Sequence, residues 1–411
     1  MHRIIVWFFI VNIALMIAIP VYAAGILNQQ MYSAEYVRTL NRQAATNAAD
    51  IAAYNPAGIM QLENGSYIRT DLILGQFQVE TSTPEFGAFD SETTSLCPGL
   101  FVINKKDKWA AYAAVTVAGS GGAVDYDNGN LRTFQVASSL LQSPNFSQID
   151  GTYIEGEEVY LRSTIGGAYA VNEHVSIAVG LSYVNAKRSV EAFMDVSDPA
   201  PSTKFELDME RSADGFGGVV GIHVKFNESW DMGFRYETNT NIDLESDVKR
   251  DDLDLATQLG WADGTKTRRD LPGLLGLGVS CKITPRCKIQ GSGIYFLEKE
   301  AKWEDEGYKD AGNSYELGIS AEYALYPNFK VSIGYSHSEI EQKPEDFSVE
   351  SPQLNFDVIG SGFTWSPTDR IDTTFGAGYV LYDSETVETI NFDKDYWAIS
   401  LGFQYHFPTP L

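Results

Sequence analysis

The chain is short of cysteine, of histidine and of positive charge. Three Cys and five His are scattered through 411 residues. No Cys/His spacing resembles a metal site, so no metal and no cofactor is assigned. Lys and Arg number 30 against 55 Asp and Glu, a formal charge of -25. That balance argues against nucleic acid as a partner, because phosphate binding needs clustered cations. It also argues against a cationic helix lying on a membrane surface. Acidity of this extent is read either as plain solubility or as acidic exterior loops that could meet divalent cations at a lipopolysaccharide surface. Long hydrophobic runs are missing too. After residue 23 no apolar stretch reaches the ~20 residues that a membrane helix requires.

Export is written in the first residues. Met1-His2-Arg3 is a short positive start, Ile4 to Ile19 is almost continuously apolar, and Val21 and Ala23 are small. This is a signal peptide over residues 1–23 with the mature chain starting at Ala24. The exported protein is then periplasmic, secreted or a barrel. Export also implies an oxidising compartment. Cys281 and Cys287 flank a turn at residues 282–286, and alternation puts both on one face of adjacent strands. A disulfide between them is therefore open, with Cys97 left over.

What is plentiful is aromatic residues and glycine: 22 Tyr, 22 Phe, 7 Trp and 36 Gly. That excess suits strands and tight turns. Past residue 65 the chain alternates strictly. Val175, Ile177, Val179, Leu181 and Tyr183 share one face, while Ser176, Ala178, Gly180 and Ser182 share the other. Period-2 alternation means a sheet with two chemically different faces. A soluble sandwich alternates as well, but two features favour a membrane barrel. The weaker face is rich in Gly, Ser and Ala, which suits a crowded interior. Tight turns also alternate with long polar links, as in outer-membrane barrels. The pattern predicts an all-β fold: a transmembrane antiparallel barrel of about fourteen strands over residues 65–411. Its strands include single ones at 228–247, 268–283 and 286–303, and the last stops at Phe407, before Pro408. Trp109, Trp230, Trp303, Trp365 and Trp397 are candidates for interfacial girdles or for ordinary sheet packing.

Residues 24–64 lack alternation and are too few to fold alone. Ahead of so wide a barrel they read as an N-terminal plug in the lumen, the alternative being a disordered tail. Here the residues become specific. The segment from Tyr36 to Ala45, then Ala49 to Gly58 with Asn55-Pro56-Ala57-Gly58 just before the first strand, resembles the hatch of the long-chain fatty-acid transporter family, FadL and the toluene channels. The predicted mature start Ala24-Gly25-Ile26 is similar to that family's Ala-Gly-Phe. The resemblance covers most of the mature chain, closely in the hatch and loosely in the barrel.

The resemblance implies uptake of hydrophobic compounds such as long-chain fatty acids across the outer membrane of a Gram-negative bacterium, with lateral exit near the third strand. An adhesin-type or structural barrel is the alternative. Gly119, Gly121 and Gly122 interrupt that strand, and interior glycines permit a bulge or simply end the strand early. The chain lacks the Pro-Phe-Gly that often marks the family's third strand. In the longest loop Leu131, Phe134 and Leu141 lie near helical spacing, either as an apolar capture surface or packed on the barrel rim. With Ile26 these residues make up the expected ligand path. Partners are then hydrophobic small molecules, outer-membrane lipid and lipopolysaccharide, and the barrel-assembly machinery, with the protein a monomer. Arg162 and Arg235 face the lumen, to bind a ligand carboxylate or to pair with Asp231 or Glu237. No enzyme is read: His337-Ser338 is the one suggestive pair, and adjacent strand residues face opposite sides.

N-terminal sequencing of the protein from outer membranes should begin at Ala24; a retained Met1 would refute the processing site.

Overall fold

The computed structural model describes residue 28 and residues 30–408, apart from 199–200, 305–310 and 351, and only the backbone at 120–122. The signal peptide and Ile26 lie outside the described residues. The strands are β1 (Gly65–Thr83), β2 (Gly87–Lys106), β3 (Trp109–Tyr126), β4 (Gln148–Ala170), β5 (Val175–Ser197) and β6 (Thr203–Lys225). They continue as β7 (Trp230–Glu237), β8 (Asp243–Asp251), β9 (Lys266–Arg268), β10 (Leu274–Thr284) and β11 (Cys287–Phe296). The chain closes with β12 (Tyr315–Tyr326), β13 (Phe329–Glu339), β14 (Phe356–Thr368), β15 (Ile371–Tyr382), β16 (Glu385–Val387) and β17 (Ile390–Pro408). Each pairs antiparallel with its neighbours, and β1 pairs β2 on one edge and β17 on the other. That double pairing closes the sheet into a 14-strand barrel. Seventeen segments make fourteen staves because β7–β8 and β9–β10 are each one interrupted stave and β16 is a short ply on β17.

The interruptions correct the reading of 228–247 and 268–283 as single strands. Residues 238–242 and 269–273 leave the wall together, still joined by a Thr240–Leu271 bridge. Both of those residues are buried. A Cβ at Gly215 of β6 would meet Asn241 O at 2.5 Å, so the detour turns into the lumen. β11 ends at Phe296, not at 303. The final strand runs one residue past Phe407, since Pro408 keeps register with Gly65.

Connections at one end are turns at residues 107–108, 171–174, 226–229, 285–286, 327–328 and 369–370. At the other end lie longer links such as 127–147, 252–265, 297–314 and 340–355. In outer-membrane barrels the short turns are periplasmic and the long loops extracellular. β4, β5 and β6 are each 23 residues long, well beyond the ~9–11 that cross a bilayer. They carry the wall outward past the membrane.

The two faces are reversed relative to a soluble sheet. In β5, Ile177, Val179 and Leu181 are exposed while Ser176, Ala178 and Ser182 are buried. Ile165, Phe216, Ile319, Ile333, Ile359 and Leu401 extend this exposed apolar band around the ring. An outward apolar face is stable only against lipid. Trp109, Trp230 and Trp365 lie outward near the short turns, and Trp397 lies outward toward the loops. Part-way up the wall, six to eight residues from the short-turn ends of β5, β13 and β15, a belt of tyrosines is anchored across strands. Tyr183 donates to Asp214 (2.6 Å), Tyr335 to Asp357 (2.7 Å) and Tyr379 to Asp395 (2.8 Å). These amphipathic side chains suit the headgroup level. Trp303 is the exception to the girdle reading: it is buried off the strands and donates Nε1–H to Asp270 O at 2.7 Å.

Cys281 and Cys287, whose bonding the sequence leaves open, are both free in the structure. They do share the outer face, but the register sets Cys281 opposite Ile289 and Cys287 opposite Thr284. The two residues are therefore diagonal and not opposite, and diagonal pairs stand roughly 7–8 Å apart, wider than the usual Cα separation of a disulfide.

Ile319→Arg places a cation in the middle of the apolar band. It should cost about 2–4 kcal/mol of folding stability in lipid vesicles, read by urea titration; an unchanged midpoint would contradict the outward placement of this face.

Candidate functional site: the occupied lumen and the gap in the third strand

Among the described residues the first helix of the N-terminal segment is α1 (Ala34–Thr39), which Ser33 caps by accepting from Tyr36 N–H. Leu40 ends the helix in a left-handed conformation, φ 53°. Helix α2 (Ile51–Tyr54) and a 3-10 turn at Pro56–Gln61 follow. Nearly every residue from 30 to 62 is buried. α1 touches β1, β12, β13, β14, β15 and β17, while the 3-10 turn touches β2 to β6. A segment that meets opposite walls of a closed ring lies inside it.

Two features let it fit. Small inward residues leave room: a Cβ at Gly334 would strike Thr39 O, and one at Gly360 would strike Val37 O. Buried charges are also matched. Arg38 pairs with Glu35 (2.6 Å) and with Glu322 of β12 (2.5 Å). Arg42 pairs with Asp50 (2.5 Å) and Arg69 of β1 with Asp71 (2.7 Å). Glu35 also accepts from Thr364 (3.1 Å) and Thr374 (2.9 Å) on the wall. Burial alone would raise the Glu35 carboxyl, but Arg38, Arg42 and Arg69 hold it well below the usual range. Tyr36 donates to Glu316 at 2.7 Å, and Asp71 accepts from Ala34 N–H at 2.9 Å.

The Asn55-Pro56-Ala57-Gly58 motif fixes the second half of the segment. Asn55 Nδ2 donates to Gln43 O (3.0 Å) within the segment and to Ile222 O (3.0 Å) on β6. Its Oδ1 accepts from Ala57 N–H at 3.3 Å. Pro56 opens the 3-10 turn, where its missing N–H is harmless. Ser176 of β5 donates to Ala57 O at 2.8 Å. A Cβ at Gly58 would lie 2.5 Å from Ala45 O. Each motif position thus has a steric or hydrogen-bonding reason.

The lumenal arginines pair inside the chain. Arg162 meets Glu237 at 2.5 Å, and Arg235 donates to Ala53 O (3.1 Å), Tyr54 O (3.0 Å) and Gln30 (3.2 Å). Asp231 contacts His223 instead, at 3.2 Å. His337 bonds Asp357 at 2.9 Å on the outer face while Ser338 is buried, so the two do face opposite sides.

The ladder opens at β3. Its pairing with β2 runs from Trp109↔Lys106 only to Val115↔Leu100. β2 continues to Gly87 paired with β1 alone. On its other edge β3 shifts register against β4 between Val117 and Gly119, and again between Gly119 and Gly122. Ser91 and Thr93 reach back to Asp125 N–H (2.7 Å) and Ala123 O (3.1 Å), which closes the gap above. Residues 94–99 and 116–122 border the opening. Asn28 sits in it, bridged to Gly119, with its Nδ2 on Pro272 O at 3.0 Å. Pro98 on the free edge of β2 is a signal that the sequence reading missed, since proline within sheets is confined to edges and bulges.

The loop helix is present as α3 (Leu131–Leu140), with an Asn130/Thr133 capping box. Its three apolar residues do not converge. Leu131 is buried; Phe134 packs on Phe86 and Phe89 at the β1–β2 tip. Leu141 joins Ala137, Met194 and Val196 over β5. Asn130 and Arg132 tie the helix start to Glu350 in the 340–355 loop.

No family model matches the chain. It is 20% identical over 295 residues to the long-chain fatty acid transport protein of Escherichia coli, covering 59% of this chain and 65% of that one. It is 23% identical over 253 residues to outer membrane protein P1 of Haemophilus influenzae, covering 53% and 54%. The chain thus spans less than two thirds of the curated relatives it matches. Among solved structures, a FadL homologue of Pseudomonas aeruginosa superposes with TM-score 0.68 over 93% of this chain and 99% of that one, at 12% identity. The Pseudomonas putida toluene transporter TodX gives 0.67 over 89% and 97%, at 13% identity. The chain is an outer-membrane β-barrel of a Gram-negative bacterium. Within that class its fold is the FadL type.

Asn55→Ala removes the bonds to Gln43, Ile222 and Ala57 together. In detergent, trypsin should then cut after Arg38 or Arg42 markedly faster than in the parent protein while the barrel stays intact; equal protection would show that Asn55 does not hold the segment.

Proposed function

We propose that this protein takes hydrophobic compounds across the outer membrane, with residues 24–64 as a hatch in the lumen and lateral exit through the β2–β3 gap. The observation that carries the reading is the break in the β3 ladder with the N-terminal segment seated in it. In hydrocarbon an unpaired strand edge is costly, so a wall opening that is kept argues for a use. An apolar ligand gains ~25 cal/mol for each Å² it removes from water. It would follow apolar walls and leave where pairing is weakest. A water-filled pore would offer it no such gain.

On this reading the ligand enters beside α3, where Phe134, Phe86 and Phe89 form an aromatic patch. It passes Asn28 of the N-terminal segment and leaves between β2 and β3. Gly119, Gly121 and Gly122 lie on the β3 edge of that route, Leu131 and Leu141 belong to the loop helix and its flank at the entrance, and Ile26 belongs to the hatch start. The names of the relatives, a fatty-acid transport protein and toluene transporters, agree with a hydrophobic cargo. The protein acts alone as a monomer, without enzyme activity, placed by the barrel-assembly machinery among lipid and lipopolysaccharide.

Replacing Gly121 and Gly122 together by Val should strengthen strand pairing and cut uptake of a radiolabelled fatty acid or aromatic hydrocarbon severalfold with normal barrel assembly. Parental uptake by that variant would refute lateral exit here. Uptake of every such compound that is unchanged by deleting the gene would refute transport and favour a structural or adhesin barrel.

A further inference from the structure

The inward detour at residues 238–242 and 269–273 is remote from the β2–β3 gap along the sheet, yet its contacts lead to that gap. It passes beneath β6, where a Cβ at Gly215 or Gly217 would meet Asn241 or Thr240, and reaches the lumenal face of β4. Arg269 grips Glu158 of β4 with two hydrogen bonds, Nε at 2.6 Å and Nη2 at 3.1 Å. The Tyr160 hydroxyl stands between the Arg269 carbonyl (3.4 Å) and Glu158 (3.2 Å). Glu237, the last residue of β7 before the detour, pairs with Arg162 at 2.5 Å. All five of these residues are buried. Asp270 stiffens the detour by accepting from Ile242 N–H (3.1 Å) and from Lys302 N–H (3.1 Å).

Glu158, Tyr160 and Arg162 are successive inward positions of β4. Across the sheet they face Gly122, Gly119 and Thr116 of β3, and that stretch holds both register shifts of β3. On its other edge β4 keeps unbroken register with β5 from Gly151 to Ala170. Asn28 of the N-terminal segment joins the same place, bridged to Gly119 and bonded to Pro272 O of the detour at 3.0 Å.

A bulge puts the bend into the strand that carries the extra residue. A free β4 could bend along with β3 and even out the shifts. A β4 pinned from the lumen at three successive inward positions cannot. Two-point bonds between Arg and a carboxylate fix orientation as well as distance, and burial leaves neither partner an alternative in water. We infer that the inward detour is a brace for the lateral opening, with Arg269 as a positioning residue that acts through Glu158 to hold β4 straight opposite the break in β3. The use of the brace rests on the exit route proposed above; its geometry does not. The brace also gives the second irregularity of the wall a cause: two staves turn inward to carry Arg269 past β6 and β5 to β4.

The test is backbone hydrogen exchange of the full mature protein in lipid nanodiscs, read by mass spectrometry. Arg269→Met should raise exchange severalfold at residues 116–122 and 158–162 of β3 and β4, while the other staves keep parental rates. Because Arg269 acts through Glu158, Glu158→Gln and the double variant should give the same rise and not the sum. The double variant leaves neither charge of the pair buried alone, so it carries the test if Arg269→Met does not assemble. Parental exchange in β3, a rise spread over the whole barrel, a rise confined to the detour, or additive effects would each overturn the inference. Uptake of radiolabelled palmitate or toluene gives the functional readout. The double variant should take up severalfold less of whichever compound the parent takes up better than a gene-deleted strain. Parental uptake in that variant shows that the opening does not depend on the brace, and overturns the inference too. A parent no better than the deleted strain sinks the transport reading alone, and the exchange rates still decide the brace.

Discussion

In hydrocarbon a backbone N–H or C=O has no water to bond, so each must be paired within the protein. This constraint shapes everything else in the chain. It is met by joining the first and last staves, from Gly65↔Pro408 to Ser82↔Asn391. Closure in turn fixes two faces along each strand, one against lipid and one around an enclosed space. The gap between β2 and β3 stands out because it relaxes the constraint locally. Pro98, without an N–H to leave unpaired, sits on that free edge, and Asn28 supplies a bridge to Gly119 from inside. The second irregular region, at residues 238–242 and 269–273, is different. There two staves move inward still bonded to one another, so the wall bends without acquiring a free edge.

The enclosed space is filled by polypeptide, and that filling raises a second problem. Arg38, Arg42, Arg69, Glu35, Asp50 and Asp71 are all buried. Removing one partner of a buried pair typically costs 3–5 kcal/mol, although a complete pair need add little to stability. Such networks favour one arrangement over many. Here the partners span the N-terminal segment and the wall, as in Arg38 with Glu322 and Tyr36 with Glu316. The segment is therefore held by geometry and charge matching together. Lys394 of β17 lies instead among rings, 5.6 Å from the centres of Phe77 and Tyr382.

Much of this was legible in the sequence because period-2 alternation carries a direct physical meaning. A small-residue face and short turns alternating with long links were enough for a closed barrel of about fourteen staves. The Asn55 motif was visible as well, and its contacts to Gln43, Ile222 and Ala57 give it a cause. What misled the reading was local continuity. Residues 228–247 and 268–283 look like unbroken strands, since residues at an inward kink can keep the same alternation. Trp303 resembled a girdle residue because nothing in its neighbours shows that β11 stops at Phe296. Cys281 and Cys287 were placed correctly on one face, but the offset that separates them depends on the register across the turn.

Residue pattern alone carries the two-faced strands, the barrel and the distinct N-terminal segment. These follow from composition and from side-chain period, which are properties of neighbouring residues. The folded chain sets which strand edges are left unpaired, where Arg162 and Arg235 find their partners, and that Lys394 meets rings. Those outcomes depend on residues from tens to hundreds of positions apart, such as Arg162 and Glu237 or Phe77 and Lys394. The closed ring brings them together through its register, which no local pattern contains.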